Sequence, residues 1–416
     1  MKYLQLLASA CNSSNDRKLA AILKMDDDLG RSSSSSSTTI SGGLYTNEFQ
    51  SLKMNNINNI QQKMGQMLND QSWLQFCMSY LQTKYAYLTL GDYNKAFKKM
   101  AETYSLFLKL FETPEESFWL IDTIQILSVN LRVLGKECDD HQPGEESPYI
   151  IVERLLKKGF QATVASRSLV KKEAAIGVVN NLFKVYFKNN AVRACGNTFK
   201  SFKIVFRSID FDTLPLAQRV TYKFYEGRLA IFQEDYVLAE ACFKFCLDQC
   251  PKSEKGNRAR ILQYFIPVQI FFGKFPSAKL LKKYNLTQYM EIVPALMHGD
   301  IQNFEQNMKI HQSFFLKRGI FLLVEKLKTT LYRNLIFKIY NIKYKDKTNK
   351  INLKEILPTL QKIGGVDDMD GLECMISNLI YSGYIKGYIS HEKSYLVLSK
   401  QNPYPKLSDI GDKKRK

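Results

Sequence analysis

The chain has 416 residues, of which 45% are hydrophobic and 12% aromatic. These fractions allow sizeable cores, which excludes a wholly disordered chain, a collagen-like chain and a coiled-coil rod. A formal charge of +19 predicts an acidic partner, which could be nucleic acid, an anionic membrane surface or an acidic protein.

The N-terminal sequence MKYLQLLASAC resembles a secretory signal. However, its apolar run from Tyr3 to Ala10 is short, and polar residues follow it directly. We therefore predict an amphipathic helix over residues 1–30. No stretch approaches the roughly 18 apolar residues of a membrane span, so a soluble protein without membrane insertion is expected. The eight cysteines lack CxxC pairs, which is typical of thiols kept reduced inside a cell.

Residues 31–46 are rich in serine and have almost nothing to bury, which predicts a flexible insertion. From 47 to 323 apolar residues recur at helical spacing, and strand signals are nearly absent. One such stripe consists of Ala96, Met100, Tyr104, Phe107 and Leu108. Antiparallel helix pairs would bury these stripes, so we predict an all-α, helical-repeat domain over 47–323.

The clearest helix pair is predicted between Tyr222 and Pro251. Gly227 would let a second helix approach closely, and Ala239, Phe243 and Pro251 follow tetratricopeptide spacing. The Trp and Leu of that repeat are missing, so a regular array is not expected. The pattern favours an irregular, tetratricopeptide-like right-handed stack.

Residues 324–400 show a different pattern. Helices are predicted at 325–344, 352–363 and 368–381, and two short β-branched and aromatic runs at 384–389 and 395–400 surround a polar turn. Three helices followed by a hairpin is the order of a winged helix. Residues 401–416 form a basic tail.

Several strings carry a more specific resemblance. LLKKYNLTQY (280–289), FFLKRGIFLLVEKLKTTLYRNL (314–335), NLIYSGYIKGYISHE (378–392) and LVLSKQNPYP (396–405) resemble the PCI subunit of the transcription-and-export complex 2. This family includes the animal PCI-domain-containing protein two and proteins like CSN twelve. The resemblance covers roughly residues 174–405.

The resemblance implies a PCI domain, in which a helical-repeat stack ends in a winged helix. It implies a non-enzymatic subunit in nuclear messenger RNA export, with nuclear pores as one expected location. The implied partners are a large scaffold, like yeast Sac three or the germinal-centre-associated nuclear protein, and a small acidic peptide of the proteasome-lid type. In such complexes the winged helices of the two large subunits present a basic surface to RNA and DNA.

The local charge agrees with a polyanion partner. Between Lys326 and Lys350 there are eight basic residues and one acidic residue, a net charge of +7. In the predicted hairpin, lysines alternate with Tyr384, Tyr388 and Tyr395, which could stack unpaired bases. The predicted nucleic-acid-binding residues are Lys326, Lys328, Arg333, Lys338, Lys386, Lys393 and Lys400. Ordinary solvated helix faces are the alternative for each single lysine.

The helix predicted at 368–381 argues against sequence-specific reading. It contains Asp368, Asp370 and Glu373 and no basic residue, so its first turn would repel phosphate. Binding is therefore expected through the first winged-helix helix and the wing. If about five phosphates of a single strand are engaged, log K should fall with log salt at a slope of roughly −3.5.

Two other basic clusters have different expected uses. Lys279, Lys282 and Lys283 are predicted to bind a partner, and an acidic peptide could lie along them or along the basic residues of 154–172. An exposed helix face is the alternative for each cluster. The C-terminal KKRK is either a nuclear-import signal or a solubilising end.

Signals for enzymes and cofactors are weak. No GxxxxGK[ST], GxGxxG or HExxH string occurs, so no catalytic, cofactor or metal site is predicted. Cys242, Cys246 and Cys250 share a helix face and could bind zinc, but buried free cysteines explain them more simply. Asp367, Asp368 and Asp370 are consistent with helix capping rather than a cation loop.

Two alternative functions stay open. One is a PCI assembly subunit, of a signalosome-like or proteasome-lid-like complex, whose winged helix contacts only other PCI domains. The other is a tetratricopeptide-like adaptor that holds peptide tails in a concave groove.

Overall fold

The computed structural model describes residues 2–25, 49, 57–68, 70–113, 119–141, 147–205, 207, 209–344 and 348–414, with side chains as far as residue 410. The Ser-rich insertion predicted at 31–46 and the side chains of the KKRK tail lie outside the described residues. The chain divides into two compact units, Met1–Tyr222 and Lys223–Lys416. The domain boundaries expected from the sequence stay a prediction.

The first unit is built from helices. They are α1 (Lys2–Asn12), α2 (Asp16–Leu23), α3 (Ile57–Met67), α4 (Gln71–Leu88), α5 (Tyr93–Glu112), α6 (Ile121–His141), α7 (Pro148–Ala165), α8 (Leu169–Lys188) and α9 (Val192–Val205), with a short 3-10 helix at Phe211–Thr213. The boundary between the units falls inside α10 (Leu216–Phe232).

The N-terminal segment forms two helices rather than the single one predicted. Ser14 has a positive φ of 48°, which ends α1, and Asn15 caps α2 by accepting a hydrogen bond from the backbone N–H of Lys18. The carboxylate of Asp16 then accepts hydrogen bonds from the backbone N–H groups of Asp122 and Thr123. The start of α2 is thereby joined to the start of α6.

The predicted helical stripes are confirmed as core. The α5 stripe of Ala96, Met100, Tyr104, Phe107 and Leu108 is buried. On α4, Phe76, Cys77, Tyr80 and Leu81 are also buried, so α4 and α5 pack through these faces. Burying each large apolar side chain stabilises the unit by roughly 1.5–3 kcal/mol.

The second unit contains the rest of the chain. Its helices after α10 are α11 (Tyr236–Gln249), α12 (Lys255–Phe271), α13 (Ala278–Lys283), α14 (Ile292–His298), α15 (Ile301–Ile310), α16 (Gln312–Arg318), α17 (Phe321–Lys326), α18 (Lys328–Lys343), α19 (Leu353–Lys362), α20 (Met369–Tyr381) and α21 (Leu407–Lys414), with a 3-10 helix at Thr287–Tyr289. Its strands are β1 (Lys350–Asn352), β2 (Gly387–Ser390) and β3 (Tyr395–Leu398).

The helix pair predicted between Tyr222 and Pro251 is confirmed as α10 and α11. Glu234 in the turn has a φ of 61°, and Asp235 caps α11 by accepting a hydrogen bond from the N–H of Leu238. A Cβ atom on Gly227 would lie 3.0 Å from the ring of Phe243 and 3.1 Å from the Cβ atom of Cys242. A larger residue at this position would push these side chains by a few tenths of an ångström, so glycine suits the close approach.

The C-terminal residues adopt the expected winged-helix order. Within the described residues, α18, α19 and α20 precede the β2–β3 hairpin, and β1 adds a third strand to give the antiparallel order β1-β3-β2. The helix predicted at 325–344 is interrupted at Leu327, where α17 ends and α18 begins. The predicted all-α fold class, with helical repeats followed by a winged helix, is confirmed.

Among the described residues, no helix combines the length and hydropathy needed to cross a bilayer.

Candidate nucleic-acid interface

The sheet of the winged helix has an apolar inner face and a more polar outer face. The register pairs Ile351 with Leu396, and both side chains are buried, so this row faces the core. The next row joins Lys350, Val397 and Tyr388 across the three strands. Because side chains alternate between the two faces of a strand, Lys350 and Tyr388 lie on the outer face.

Two exposed lysines share this face of the sheet with the ring of Tyr388, which is 63% exposed. Lys386 lies two positions before Tyr388, and its carbonyl accepts a hydrogen bond of 2.8 Å from the N–H of Ser399. The N–H of Lys386 leaves the ladder and donates to the carbonyl of Pro403, and it is the alternation along β2 that places Lys386 on the side of Tyr388. Lys350 lies two strands from Tyr388, a Cα separation of about 10 Å. We call Lys350, Lys386 and Tyr388 the sheet-face cluster.

The sheet-face cluster has the chemistry of a single-strand binding site. The Tyr388 ring can stack on an unpaired base, and the ammonium groups on the same face can contact phosphates next to that base. Lys386 also lines a small cavity of about 270 Å³ together with Asp409, so one carboxylate lies in its surroundings.

Three other predicted lysines are exposed. Lys393 lies in the turn between β2 and β3, and Lys400 lies two residues after β3. Lys338 is exposed on α18, where it lines a groove in the second unit. Their exposure leaves the predicted contact with phosphate available, and that contact stays a prediction.

Lys326 and Lys328 have carboxylate partners within the second unit. The ammonium nitrogen of Lys326 lies 2.6 Å from a carboxylate oxygen of Glu234, and that of Lys328 lies 3.3 Å from Glu305. Such partly exposed pairs are worth about 0–1 kcal/mol each. The pairing neutralises much of the positive charge predicted at this end of the first winged-helix helix.

Arg333, predicted to bind nucleic acid, instead has a structural role. Its side chain is buried, and its guanidinium donates to Asn334 Oδ1 at 2.9 Å and to the carbonyl of Pro405 at 2.8 Å. The same group lies over the rings of Phe337 and Tyr404. Arg333 therefore holds the C-terminal segment on α18 and does not face a phosphate, so this part of the prediction is wrong.

The predicted exposed rings also need a correction. Tyr384 is buried, so it cannot stack on a base. Tyr395 is half-buried on the outer face of β3, and only Tyr388 of the three predicted rings is largely exposed.

Helix α20 carries the acidic residues that argue against sequence-specific reading, and its repulsion of phosphate stays a prediction. Asp368 caps it by accepting a hydrogen bond of 2.7 Å from the N–H of Gly371, and Asp370 is exposed in the first turn. Glu373 Oε2 lies 2.7 Å from Nδ1 of His391 in the wing. The hydrogen bond to Glu373 raises the pKa of His391, since the carboxylate favours the imidazolium form.

The cysteines at 242, 246 and 250 are buried and form no disulfide, as expected for core residues. Across the described part of the chain, no three metal-binding side chains come together in a possible metal site.

The cluster predicted to bind a partner lies on the short helix α13. Lys279, Lys282 and Lys283 are all exposed, and the Lys283 ammonium lies 5.5 Å from the ring centre of Tyr284. The neighbouring Lys274 pairs with Glu240 at 3.5 Å. The exposed cluster remains available for an acidic partner, and its use stays a prediction.

Strand β1 and its place in the sheet were missed in the sequence. The run Lys350–Asn352 is three residues long and has no recognisable alternation, and its pairing with β3 spans more than forty residues. Lys350 contributes to the net charge of residues 326–350, but only the pairing of β1 with β3 places it on the same face as Tyr388.

Comparison with known proteins places these features in a family. A model of the PCI domain matches residues 302–400. The chain is 35% identical to PCI domain-containing protein 2 of Danio rerio over 334 residues, which cover 77% of this chain and 81% of that protein. It is 36% identical to the PCI domain-containing protein 2 homolog of Dictyostelium discoideum over 76% of this chain and 75% of that protein. It is 28% identical to the CSN12 homolog of Mycosarcoma maydis over 76% of each chain.

Proposed function

The chain belongs to the family of PCI domain-containing protein 2, whose members are scaffold subunits of multiprotein complexes. From this premise we propose that the chain is a non-enzymatic subunit of a nuclear messenger RNA export complex. In this proposal the winged helix binds single-stranded RNA or DNA, and the helical stack holds it against a large export scaffold. A small acidic peptide of the proteasome-lid type is the proposed third component.

The observation that carries the proposal is the sheet-face cluster. Its two lysines and the exposed Tyr388 lie on one face of a rigid sheet, while α20 presents carboxylates. A surface with this arrangement binds through phosphates and base stacking and reads little sequence. The proposed contact therefore moves from the first winged-helix helix to the sheet, with Lys393 and Lys400 beside it.

The test is the affinity of the full chain, alone and bound to its scaffold, for a fluorescein-labelled single-stranded RNA at increasing salt. With about five phosphates engaged, log K should fall against log salt at a slope of roughly −3.5. Failure to bind at low salt, or a slope near zero, would show that nucleic-acid binding is not part of the function.

A second candidate is a PCI assembly subunit that binds no nucleic acid. It is favoured by the burial of Arg333 and by the carboxylate partners of Lys326 and Lys328, since a phosphate would have to displace these internal contacts. Recovery of signalosome or proteasome-lid subunits with the chain, without an export scaffold, would select this candidate.

A further inference from the structure

A groove of about 470 Å³ opens in the second unit beside α14, α18 and the start of α21. Its apolar lining comprises Phe275, Met297, Phe337, Ile342 and Leu407. Met297 is 51% exposed and Ile342 is 73% exposed. Contiguous exposed apolar side chains on a folded surface mark an interaction site more often than isolated ones.

The polar part of the lining is neutral or basic. It consists of His298, Arg333, Asn334, Lys338 and Asn341, so no carboxylate is among the described residues that line the groove. Lys338 is exposed and has no ion pair within the described part of the chain. An apolar floor beside the exposed ammonium of Lys338 complements a ligand that presents apolar side chains next to a carboxylate.

We propose that this groove binds one amphipathic helix of a partner protein. The helix would place large apolar side chains at i, i+3 or i+4 and i+7 against Met297, Phe337 and Ile342. Its Asp or Glu residues would pair with Lys338. A helix fits because apolar side chains repeated at this spacing form one continuous stripe, which is the usual way a helix occupies an apolar groove.

Protein is favoured over nucleic acid as the occupant because apolar atoms form most of the exposed surface of the lining. A phosphate backbone gains nothing from Met297, Ile342 or Leu407, and the groove contains no residue of the sheet-face cluster. The two surfaces can therefore be tested separately, so failure of one proposal leaves the other standing.

The first experiment measures the affinity of the full chain for three synthetic helical peptides of about 18 residues, a length at which a helix can form. The first peptide has Leu at the i, i+3, i+4 and i+7 positions and Glu elsewhere on the flanks. The second has Lys in place of Glu, and the third has Ala in place of Leu. We expect the first to bind at least about tenfold more tightly than either of the others. Equal binding of the Glu and Lys peptides, or no binding by the first, would overturn the proposal.

The second experiment locates that binding with a matched pair of variants. Ile342→Asp places a charge in the groove, and Leu322→Asp changes a 69% exposed leucine on α17 that does not line it. Because both side chains are largely exposed, both variants should keep the wild-type thermal unfolding midpoint. We expect Ile342→Asp to weaken binding of the Leu/Glu peptide at least about tenfold and Leu322→Asp to leave it unchanged. Equal losses in the two variants would contradict the assignment to the groove.

A photo-crosslinking amino acid at position 342 of the full chain then tests the occupant in cells. Crosslinking to an acidic amphipathic helix of another protein is the expected result, and crosslinking to RNA would overturn the proposal.

Discussion

The buried lysines of the first unit and the exposed lysines on the sheet of the winged helix use their charges in opposite ways. In the first unit Lys84 is buried, with its ammonium 5.4 Å from the ring centres of both Tyr3 and Phe49. Lys171 is also buried and donates a hydrogen bond of 2.7 Å to the carbonyl of Phe111. On the sheet of the winged helix, Lys350 and Lys386 are instead exposed beside Tyr388.

This difference shows that a net count of lysine and arginine does not locate a polyanion site. A cation inside the first unit satisfies carbonyl groups and aromatic faces, so its charge is not presented to solvent. Strand alternation, by contrast, fixes which lysines of the winged helix share an exposed face. Arg333 is an exception, because it lies in the winged helix but is buried like Lys84 and Lys171 of the first unit.

Replacing Arg333 should produce the largest loss of stability. Arg333→Ala removes two hydrogen bonds, leaves the Pro405 carbonyl without its donor and opens a cavity, so we expect the free energy of unfolding to fall by about 3 kcal/mol. Urea unfolding of the full chain measures this change. Lys338→Ala, an exposed site on the same helix, should change the value by less than about 0.5 kcal/mol. If both variants changed the free energy of unfolding equally, Arg333 would have no structural role beyond that of an exposed cation.

Lys171→Ala should give a smaller loss, of about 2 kcal/mol, in urea unfolding. The substitution removes the hydrogen bond to the Phe111 carbonyl and the contact of the ammonium with the Phe111 ring at 4.9 Å. Lys172→Ala, at the next and more exposed position, is the matched control and should stay within about 0.5 kcal/mol of wild type. If both substitutions lowered the free energy of unfolding by the same amount, the contacts of the buried Lys171 would not stabilise the first unit.

Tyr388→Ala should weaken binding of single-stranded RNA about tenfold without changing the unfolding midpoint. The loss corresponds to one base stack, worth about 1–3 kcal/mol. Tyr381→Ala is the control, because Tyr381 is 93% exposed but lies at the end of the acidic helix α20. Fluorescence anisotropy distinguishes the two, and an equal loss in Tyr381→Ala would show that any exposed ring contributes.

The pair of His391 and Glu373 should have the smallest effect on stability, and this effect should be confined to the wing. Since Glu373 raises the pKa of His391, the pair stabilises the wing fully below the ordinary histidine pKa of about 6.5 and loses this contribution as pH rises through the raised value. NMR titration of the His391 ring should show the raised pKa, and Glu373→Gln should return it toward the ordinary value. An unchanged pKa in that variant would assign the shift to another group.

The features predicted correctly from the sequence depend on residues close together in the chain. The α5 stripe, the cap by Asp368 and the β2–β3 hairpin are of this kind. The corrections depend on residues far apart: Arg333 contacts Pro405, Lys326 pairs with Glu234, and β1 pairs with β3. No local pattern records such contacts, so burial of a cation and the third strand could not be predicted.

We propose that the sheet-face cluster, rather than the charge of α17 and α18, binds the polyanion. The most direct test is the salt dependence of RNA affinity for two double variants of the full chain. For Lys350→Ala with Lys386→Ala, the slope of log K against log salt should become less negative by about 1.4, or about 0.7 for each lost phosphate contact. Lys326→Ala with Lys328→Ala should leave the slope nearly unchanged. A larger change in the second pair than in the first would contradict the claim.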